Sequence, residues 1–181
     1  MGLTALPVGM TEQTPTAARE AFETADAIDA TGDRYRVTST PFDGWVEAAE
    51  ADAESALQYT VTVEVPTLQS VTEGAVGPAV LDGWRDTLER RLADAPGATR
   101  VSVDLDSLDV REVADTVVVE YVFTLGSPDT AAAVTKTFVE YVEGTYVEGI
   151  VPGYEYTGVA ADLLSNAQSG GAEGERGGTP L

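Results

Sequence analysis

Cysteine and histidine are both absent from the 181 residues of the chain, and lysine occurs once, as Lys136. Without cysteine there is no disulfide, no thiol nucleophile, no iron–sulfur ligation and no thiolate zinc site. Without histidine the chain lacks the commonest transition-metal ligand and the general base of a Ser-His-Asp triad. These absences exclude the residue types that most often carry nucleophilic and metal-assisted catalysis.

Sequence motifs for phosphate, metal and membrane binding are absent as well. Neither a Walker A pattern nor a dinucleotide G-x-G-x-x-G pattern occurs. Asp104, Asp106 and Asp109 lack the glycine and the closing glutamate that a calcium loop needs. No stretch approaches the roughly 20 apolar residues that cross a bilayer, and the N-terminus lacks the basic-then-apolar order of a signal peptide. We therefore predict a cytoplasmic protein with no cofactor, no metal, no nucleic-acid partner and no membrane association.

The charge of the chain is strongly acidic and evenly spread. There are 31 acidic and 10 basic residues, a net charge of −21, and nine of the ten bases are arginine. Residues 1–60 carry 11 acids and 3 bases, residues 61–120 carry 12 and 5, and residues 121–181 carry 8 and 2. In about 1 M salt the Debye length is roughly 3 Å, so a surface of carboxylates scarcely repels itself. We predict a protein adapted to a salt-rich cytoplasm; the alternative is an acidic mimic of nucleic acid.

Hydrophobic periodicity predicts a single α+β domain over residues 14–168, between a disordered leader (1–13) and a disordered acidic, glycine-rich tail (169–181). The element order α-β-β-β-α-β-β-α-α predicts a five-stranded antiparallel sheet with helices packed mainly on one face. The predicted helices are 14–29, 78–95, 128–143 and 157–168, and the predicted strands are 35–40, 45–49, 57–65, 101–105 and 116–125.

Several side chains are assigned to the core or to a surface from their spacing alone. Residues 57–65 alternate between apolar and polar, which is typical of a strand with one packed and one wet face. Val118 and Val122 add apolar residues to the second face of strand 116–125, which suggests a strand covered on both sides. Trp45 and Trp84 are expected in the core, and residues 106–115 are expected to form a polar connection.

The segment 144–156 concentrates aromatic and apolar residues in a stretch without periodicity. Three tyrosines, three apolar residues, three glycines and one proline fall between two predicted helices. Aromatic rings on flexible backbone are typical of pocket rims and interface anchors. The alternative is a loop that caps the core, with tyrosine hydroxyls bonded locally. The candidate binding residues are Tyr146, Ile150, Pro152, Tyr154 and Tyr156.

Four stretches carry a resemblance to a known family: TGDRYRVTSTPFDGWV, VTVEVPTL, GWRDTLERRL and FVEYVEGTYVEGIVPGYEY. Over about residues 15–165 the chain resembles a family of small uncharacterised proteins, a domain of unknown function from halophilic archaea. The resemblance implies a cytoplasmic haloarchaeal origin and no known activity. The element order is also similar to the secretion-chaperone-like α+β fold, whose members mostly bind polypeptides.

Two classes of function remain open at this point. The first is a non-enzymatic module that binds a protein or peptide partner, or a second copy of itself, through the open face of the sheet and the segment 146–156. The second is a small hydrolase or isomerase that uses carboxylates with tyrosine. An enzyme requires a cleft that holds a carboxyl group with a raised pKa beside a second polar group. A binding module requires an exposed patch or a two-fold interface.

The even negative charge predicts that the fold requires salt. Lowering KCl from about 3 M to about 0.05 M lengthens the screening distance and lets the carboxylates repel one another across the surface. We expect the melting temperature, followed by circular dichroism, to fall by about 5 °C or more. An unchanged melting temperature over this range would contradict the prediction.

Overall fold

The structure is a computed structural model, and it describes residues 14–175. The predicted leader and residues 176–181 of the predicted tail lie outside the described residues. The helices are α1 (Thr16–Thr24), α2 (Pro78–Leu92), α3 (Pro128–Glu148) and α4 (Gly158–Glu175). The strands are β1 (Ile28–Thr31), β2 (Arg34–Val37), β3 (Asp43–Glu50), β4 (Leu57–Pro66), β5 (Leu105–Val113) and β6 (Thr116–Leu125).

All strands belong to one antiparallel sheet, in the order β1-β2-β3-β4-β6-β5. The predicted α+β class and antiparallel sheet are confirmed, whereas the predicted number of five strands is wrong, because the sheet has six. The additional strand, β1, begins at residues that the sequence periodicity placed at the end of the first helix. α1 ends at Thr24, and Ile28 is buried opposite Val37 of β2. Gly32, with φ +62°, turns the chain between the two strands, a conformation that glycine adopts without strain.

The edge strand β5 is the second difference from the predicted elements. The predicted strand 101–105 is wrong, because β5 begins at Leu105 and runs through the segment expected to be a polar connection. Leu108 and Val110 pack against the core from this strand, while charged residues alternate with them. An edge strand presents an unpaired backbone to solvent, and charged side chains protect it from pairing with other chains. The same charges made its sequence resemble a loop.

One face of the sheet is buried beneath α3. Of the inward side chains of β4 predicted by the alternation, Leu57 is half-buried and the other four are buried, and those of β6 lie beside them. The rings of Tyr59 and Phe123 stack at 5.4 Å, and Phe138 of α3 meets Phe123 edge-on at 5.4 Å. Gly44 of β3 allows the close approach of α3, because a Cβ there would lie 3.2 Å from Val139. These buried residues form the core of the domain.

Helix α3 begins as predicted and ends later than predicted. Ser127 caps it by accepting a hydrogen bond from the backbone N–H of Thr130 at 3.3 Å, and Pro128 occupies the first turn. The helix continues through the predicted end at Glu143 to Glu148. α4 packs against α3 and ends at Glu175, beyond its predicted end at residue 168. Within residues 14–175, no helix is both long and apolar enough to cross a membrane.

Two tyrosines fix the C-terminal end of α2. Tyr121 of β6 donates a hydrogen bond to the carbonyl oxygen of Leu92 at 2.9 Å, and Tyr141 of α3 donates to that of Arg91 at 3.1 Å. The last carbonyls of a helix have no partner inside the helix, so the Tyr121 hydroxyl satisfies the Leu92 carbonyl, whereas the Arg91 carbonyl also accepts from the backbone N–H of Asp94 at 3.0 Å. The two tyrosine bonds also hold α2 against both the sheet and α3.

We predict opposite outcomes for two buried tyrosines on the same face of the sheet. Tyr121→Phe leaves the Leu92 carbonyl without its partner, and we expect a loss of about 1–2 kcal/mol in the free energy of unfolding. Tyr59→Phe is the matched control, because its buried hydroxyl has no partner in the described residues. Removing that hydroxyl should leave the stability unchanged or higher. Urea unfolding of both variants measures the difference, and equal losses would contradict this view of the core.

Candidate functional site

Tyr146 lies in the core rather than on a pocket rim. The connection predicted to be irregular from residue 144 is helical as far as Glu148, so Tyr146 belongs to α3 and is 1% exposed. Its ring packs edge-on against Phe42 at 5.1 Å and Trp84 at 6.0 Å. Burial raises the pKa of its hydroxyl, which has no hydrogen-bond partner within the described residues. The side chain is therefore inaccessible to a partner while α3 stays in place.

Ile150 and Pro152 line a cleft beside α2, which we call the α2–α3 groove. Its volume is 450 Å³, and Trp84 lies at its base, buried as the sequence predicts. Arg91 and Glu148 form an ion pair of 3.5 Å at its margin. Ile150 is half-buried and Pro152 exposed, so both can contact a molecule in the groove.

Tyr154 and Tyr156 lie in a connection that is fixed by its backbone. Thr72 and Tyr156 form an isolated antiparallel bridge, and hydrogen bonds of 2.8 Å flank it on both sides. The hydroxyl of Tyr156 donates to the carbonyl oxygen of Val151. Both rings are half-buried. Of the candidate residues, the structure thus brings Ile150 and Pro152 to one groove and places the tyrosines elsewhere.

Between residues 14 and 175, the titratable groups with shifted pKa values are mainly buried tyrosines. Burial, with a smaller effect of Asp129, raises the pKa of Tyr59 to about 12, and burial raises that of Tyr121 further. These hydroxyls are inside the core. The pKa of Glu143 is raised by burial and then by Glu140, yet its carboxyl lines none of three clefts on the surface. Across residues 14–175 there is no cluster of three or more acidic side chains able to hold a metal ion.

No helix of residues 14–175 packs on the opposite face of the sheet. Every helix between residues 14 and 175 that contacts the sheet does so on the side of α3, which is the side of the buried core. The face opposite α3, which we call the open face, carries the alternate side chains of each strand. On its central strands β3, β4 and β6 these are Asp43, Trp45, Glu47, Ala49, Gln58, Thr60, Thr62, Glu64, Pro66, Thr116, Val118, Glu120, Val122 and Thr124.

A cluster of two arginines on a tryptophan occupies one side of the open face. The guanidinium carbon of Arg34 lies 4.1 Å from the ring centroid of Trp45, and that of Arg36 lies 5.9 Å away. Arg36 also pairs with Asp43 at 2.8 Å. Within residues 14–175, Arg34 forms no ion pair, and its guanidinium group is within cation–π distance of the ring. We call these three residues, Arg34, Arg36 and Trp45, the Arg–Trp cluster.

The expectation that Trp45 lies in the core is wrong. Val46, the next residue, is buried beneath α3, and successive side chains of a strand point to opposite faces. Trp45 is therefore directed to the open face, where it is half-buried under the arginines. The alternation around Val46 was the signal in the sequence that could have revealed this.

Charged residues of both signs lie on the open face. One row of paired residues crosses all six strands from β1 to β5: Asp29, Arg36, Trp45, Thr62, Glu120 and Asp109. Along this row positive charge lies on β2, and negative charge lies on β1, β6 and β5. The cover predicted over Val118 and Val122 is not supplied by any helix of residues 14–175, although Val118 is only 8% exposed.

Comparison with protein families decides which group the chain belongs to. The model of a family of unknown function, DUF5813, matches residues 17–166, which is most of the chain and nearly all of the described domain. The chain belongs to this family. No curated protein and no solved structure shows a significant match.

The placement of the tyrosines predicts different costs for two substitutions. Tyr146→Ala removes a fully buried ring, and we expect the free energy of unfolding to fall by about 3–5 kcal/mol. Tyr154→Ala truncates a half-buried ring and should cost about half as much or less. Thermal and urea melts of the two variants test this. A Tyr146→Ala variant as stable as the parent chain would show that the ring is not part of the core.

Proposed function

We propose that this chain is a non-enzymatic protein-binding module adapted to high salt, and that the open face is its recognition surface. The observation that carries the proposal is the Arg–Trp cluster on a sheet face that no described helix covers. Tryptophan and arginine are the residues most enriched among those that dominate binding energy at protein interfaces. Contact with the guanidinium group of Arg34 restricts the orientation of the Trp45 ring before binding, which lowers the entropy cost of using it as an anchor.

The middle of the open face also departs from the acidic surface expected for such a chain. Among the outward residues of β4 and β6, only Glu64 and Glu120 are acidic, and the remainder are uncharged. Val122, which is half-buried, contributes apolar area between them, whereas Val118 is almost fully buried. Concentrated salt strengthens apolar association, so a surface with few carboxylates is better suited to bind another protein than the acidic remainder. A fully solvated face would gain from more carboxylates than these two strands carry.

The α2–α3 groove remains a prediction for a second contact, through Ile150 and Pro152. It is the less favoured surface because its base, Trp84, is a core residue and its margin is closed by an ion pair. The alternative of a hydrolase or isomerase has no supporting arrangement, since the shifted carboxyl of Glu143 lines none of the three clefts.

Site-specific photo-crosslinking tests the proposal. A photo-reactive benzoyl-phenylalanine is placed at Thr62, in the middle of the open face, or at Glu89, which is exposed on α2. Cells kept in molar KCl are irradiated, and the adducts are identified by mass spectrometry. We expect Thr62 to give a discrete adduct with one protein and Glu89 to give none.

The variant Trp45→Ala provides the control within the open face. It removes the ring of the Arg–Trp cluster and should abolish the adduct from Thr62 while the melting temperature changes little, because the ring lies outside the core. Adducts that form equally from Thr62 and Glu89, or that persist without Trp45, would contradict recognition through this face.

A further inference from the structure

We propose that the α2–α3 groove binds a small, uncharged and mainly apolar molecule that carries a carbonyl oxygen. This site goes beyond the proposed function, because it lies between helices on the side of the domain away from the open face. The proposal is carried by two buried groups of residues that line the groove, the indole N–H of Trp84 and the hydroxyl of Thr145. Neither has a hydrogen-bond partner within residues 14–175.

The groove exists because α2 presents small side chains to it. Ala79, Gly83 and Thr87 are four residues apart, so they share one face of the helix, and all three line the groove. A Cβ at Gly83 would meet nothing outside its own helix within 4 Å. Ile150 and Pro152 supply apolar surface from the connection after α3. The volume of 450 Å³ falls within the range of roughly 300–1,000 Å³ that is typical of small-molecule sites.

The two donors of the groove set the chemistry of the ligand. Trp84 and Thr145 are each only 6% exposed, and neither side chain forms a hydrogen bond to another described residue. Most buried polar groups in proteins have a partner, so two unpartnered groups on one groove point to a ligand that supplies it. An indole N–H can only donate, and a hydroxyl can also donate. The ligand must therefore carry an acceptor.

The two donor-bearing residues approach each other at Gly149. A Cβ at this position would lie 3.7 Å from Nε1 of Trp84 and 3.2 Å from the backbone carbonyl oxygen of Thr145. The φ of Gly149 is −84°, which any residue can adopt, so the backbone conformation does not itself require glycine. Its missing side chain leaves room beside the indole N–H. A carbonyl oxygen has two lone pairs and can accept from both donors at once.

The charges at the groove favour an uncharged ligand. Arg91 and Glu148 are the charged residues that line it, and they form an ion pair of 3.5 Å at its margin. An ionic ligand would have to compete with this pair. It would also bring its own charge against apolar walls, which is unfavourable without a partner. Both donors inside the groove are neutral, so a neutral carbonyl compound fits better than a carboxylate.

Binding of acetophenone and ethylbenzene tests the proposal, because the two probes differ by a carbonyl group in place of a methylene group. Heteronuclear NMR of the isotope-labelled chain in about 1 M KCl follows the indole N–H signals. The chain has two tryptophans, and the variant Trp45→Phe assigns the signal of Trp84. We expect acetophenone to shift the Trp84 signal downfield with a dissociation constant of about 1 mM or tighter, and to leave the Trp45 signal in place.

Ethylbenzene provides the comparison for the hydrogen bonds. It is the more apolar probe, so a groove without directed donors would bind it more tightly than acetophenone, whose carbonyl would be buried without a partner. A groove whose donors bind the carbonyl reverses this order. We therefore expect acetophenone to bind at least as tightly as ethylbenzene.

Two glycine substitutions separate filling of the groove from effects on the fold. Gly83→Leu places a side chain in the groove, and we expect the dissociation constant of acetophenone to rise at least about tenfold. Gly144→Leu is the matched control, because Gly144 is an exposed residue of α3 that is not part of the groove lining. It should leave binding unchanged. Leucine favours a helix more than glycine does, so neither variant should melt at a lower temperature.

Thr145→Val tests the hydroxyl alone. It replaces the hydroxyl with a methyl group of similar size and removes one donor from the groove. We expect acetophenone to bind about fivefold more weakly, whereas the affinity for ethylbenzene should be unchanged or higher. Because the hydroxyl has no partner among the described residues, the melting temperature in the same salt should not fall.

Three results would overturn the proposal. The first is a Trp84 signal that acetophenone leaves in place up to about 10 mM. The second is tighter binding of ethylbenzene than of acetophenone, and the third is an equal effect of Gly83→Leu and Gly144→Leu. None of these results bears on the open face, which the crosslinking at Thr62 tests separately.

Discussion

The burial of one face of the sheet against α3 is the constraint on which the rest of the molecule depends. The inward residues of β4 and β6 are almost all valine or aromatic, and α3 is the helix long enough to cover them. Gly44 permits the close contact between that helix and β3. Because each strand alternates its side chains, fixing the inward set also fixes which residues are presented on the open face. Trp45 and the arginines beside it are exposed as a consequence of core packing.

The remaining elements complete this burial without covering the second face. α2 is held at its C-terminal end by the hydroxyls of Tyr121 and Tyr141, on the same side as α3. α4 and the connection after α3 close the end of the core, where Tyr146 packs against Phe42 and Trp84. Residues 14–175 thus form a domain with one buried layer and one sheet surface that none of their helices covers. A chain whose surface is otherwise rich in carboxylates concentrates its arginine–tryptophan contacts there.

Prediction succeeded where a pattern had a single interpretation. The strict alternation of β4, the Ser127–Pro128 start of α3 and the apolar face of α2 each identified an element correctly. It failed where two structures share a pattern. Ile28 follows Ala25 by three residues, which fits a helix as well as the strand that Gly32 turns back onto β2. β5 was missed because the charges that protect an edge strand are also those of a loop.

The sequence by itself determined which catalytic residue types are absent, the acidic composition, the α+β class and most of the residues of the core. Composition and periodicity suffice for these features, because both depend only on residue types and on the spacing of near neighbours along the chain. Only the tertiary structure decided which face of the sheet is covered and which aromatic residues are buried. Tyr146 and Trp45 illustrate this: the first lies in an extension of α3 and enters the core, and the second alternates outward from Val46. The row from Arg36 to Glu120 spans strands far apart in the chain. Its charge pattern exists only once the strand order is set, since no local signal relates residues that meet through long-range pairing.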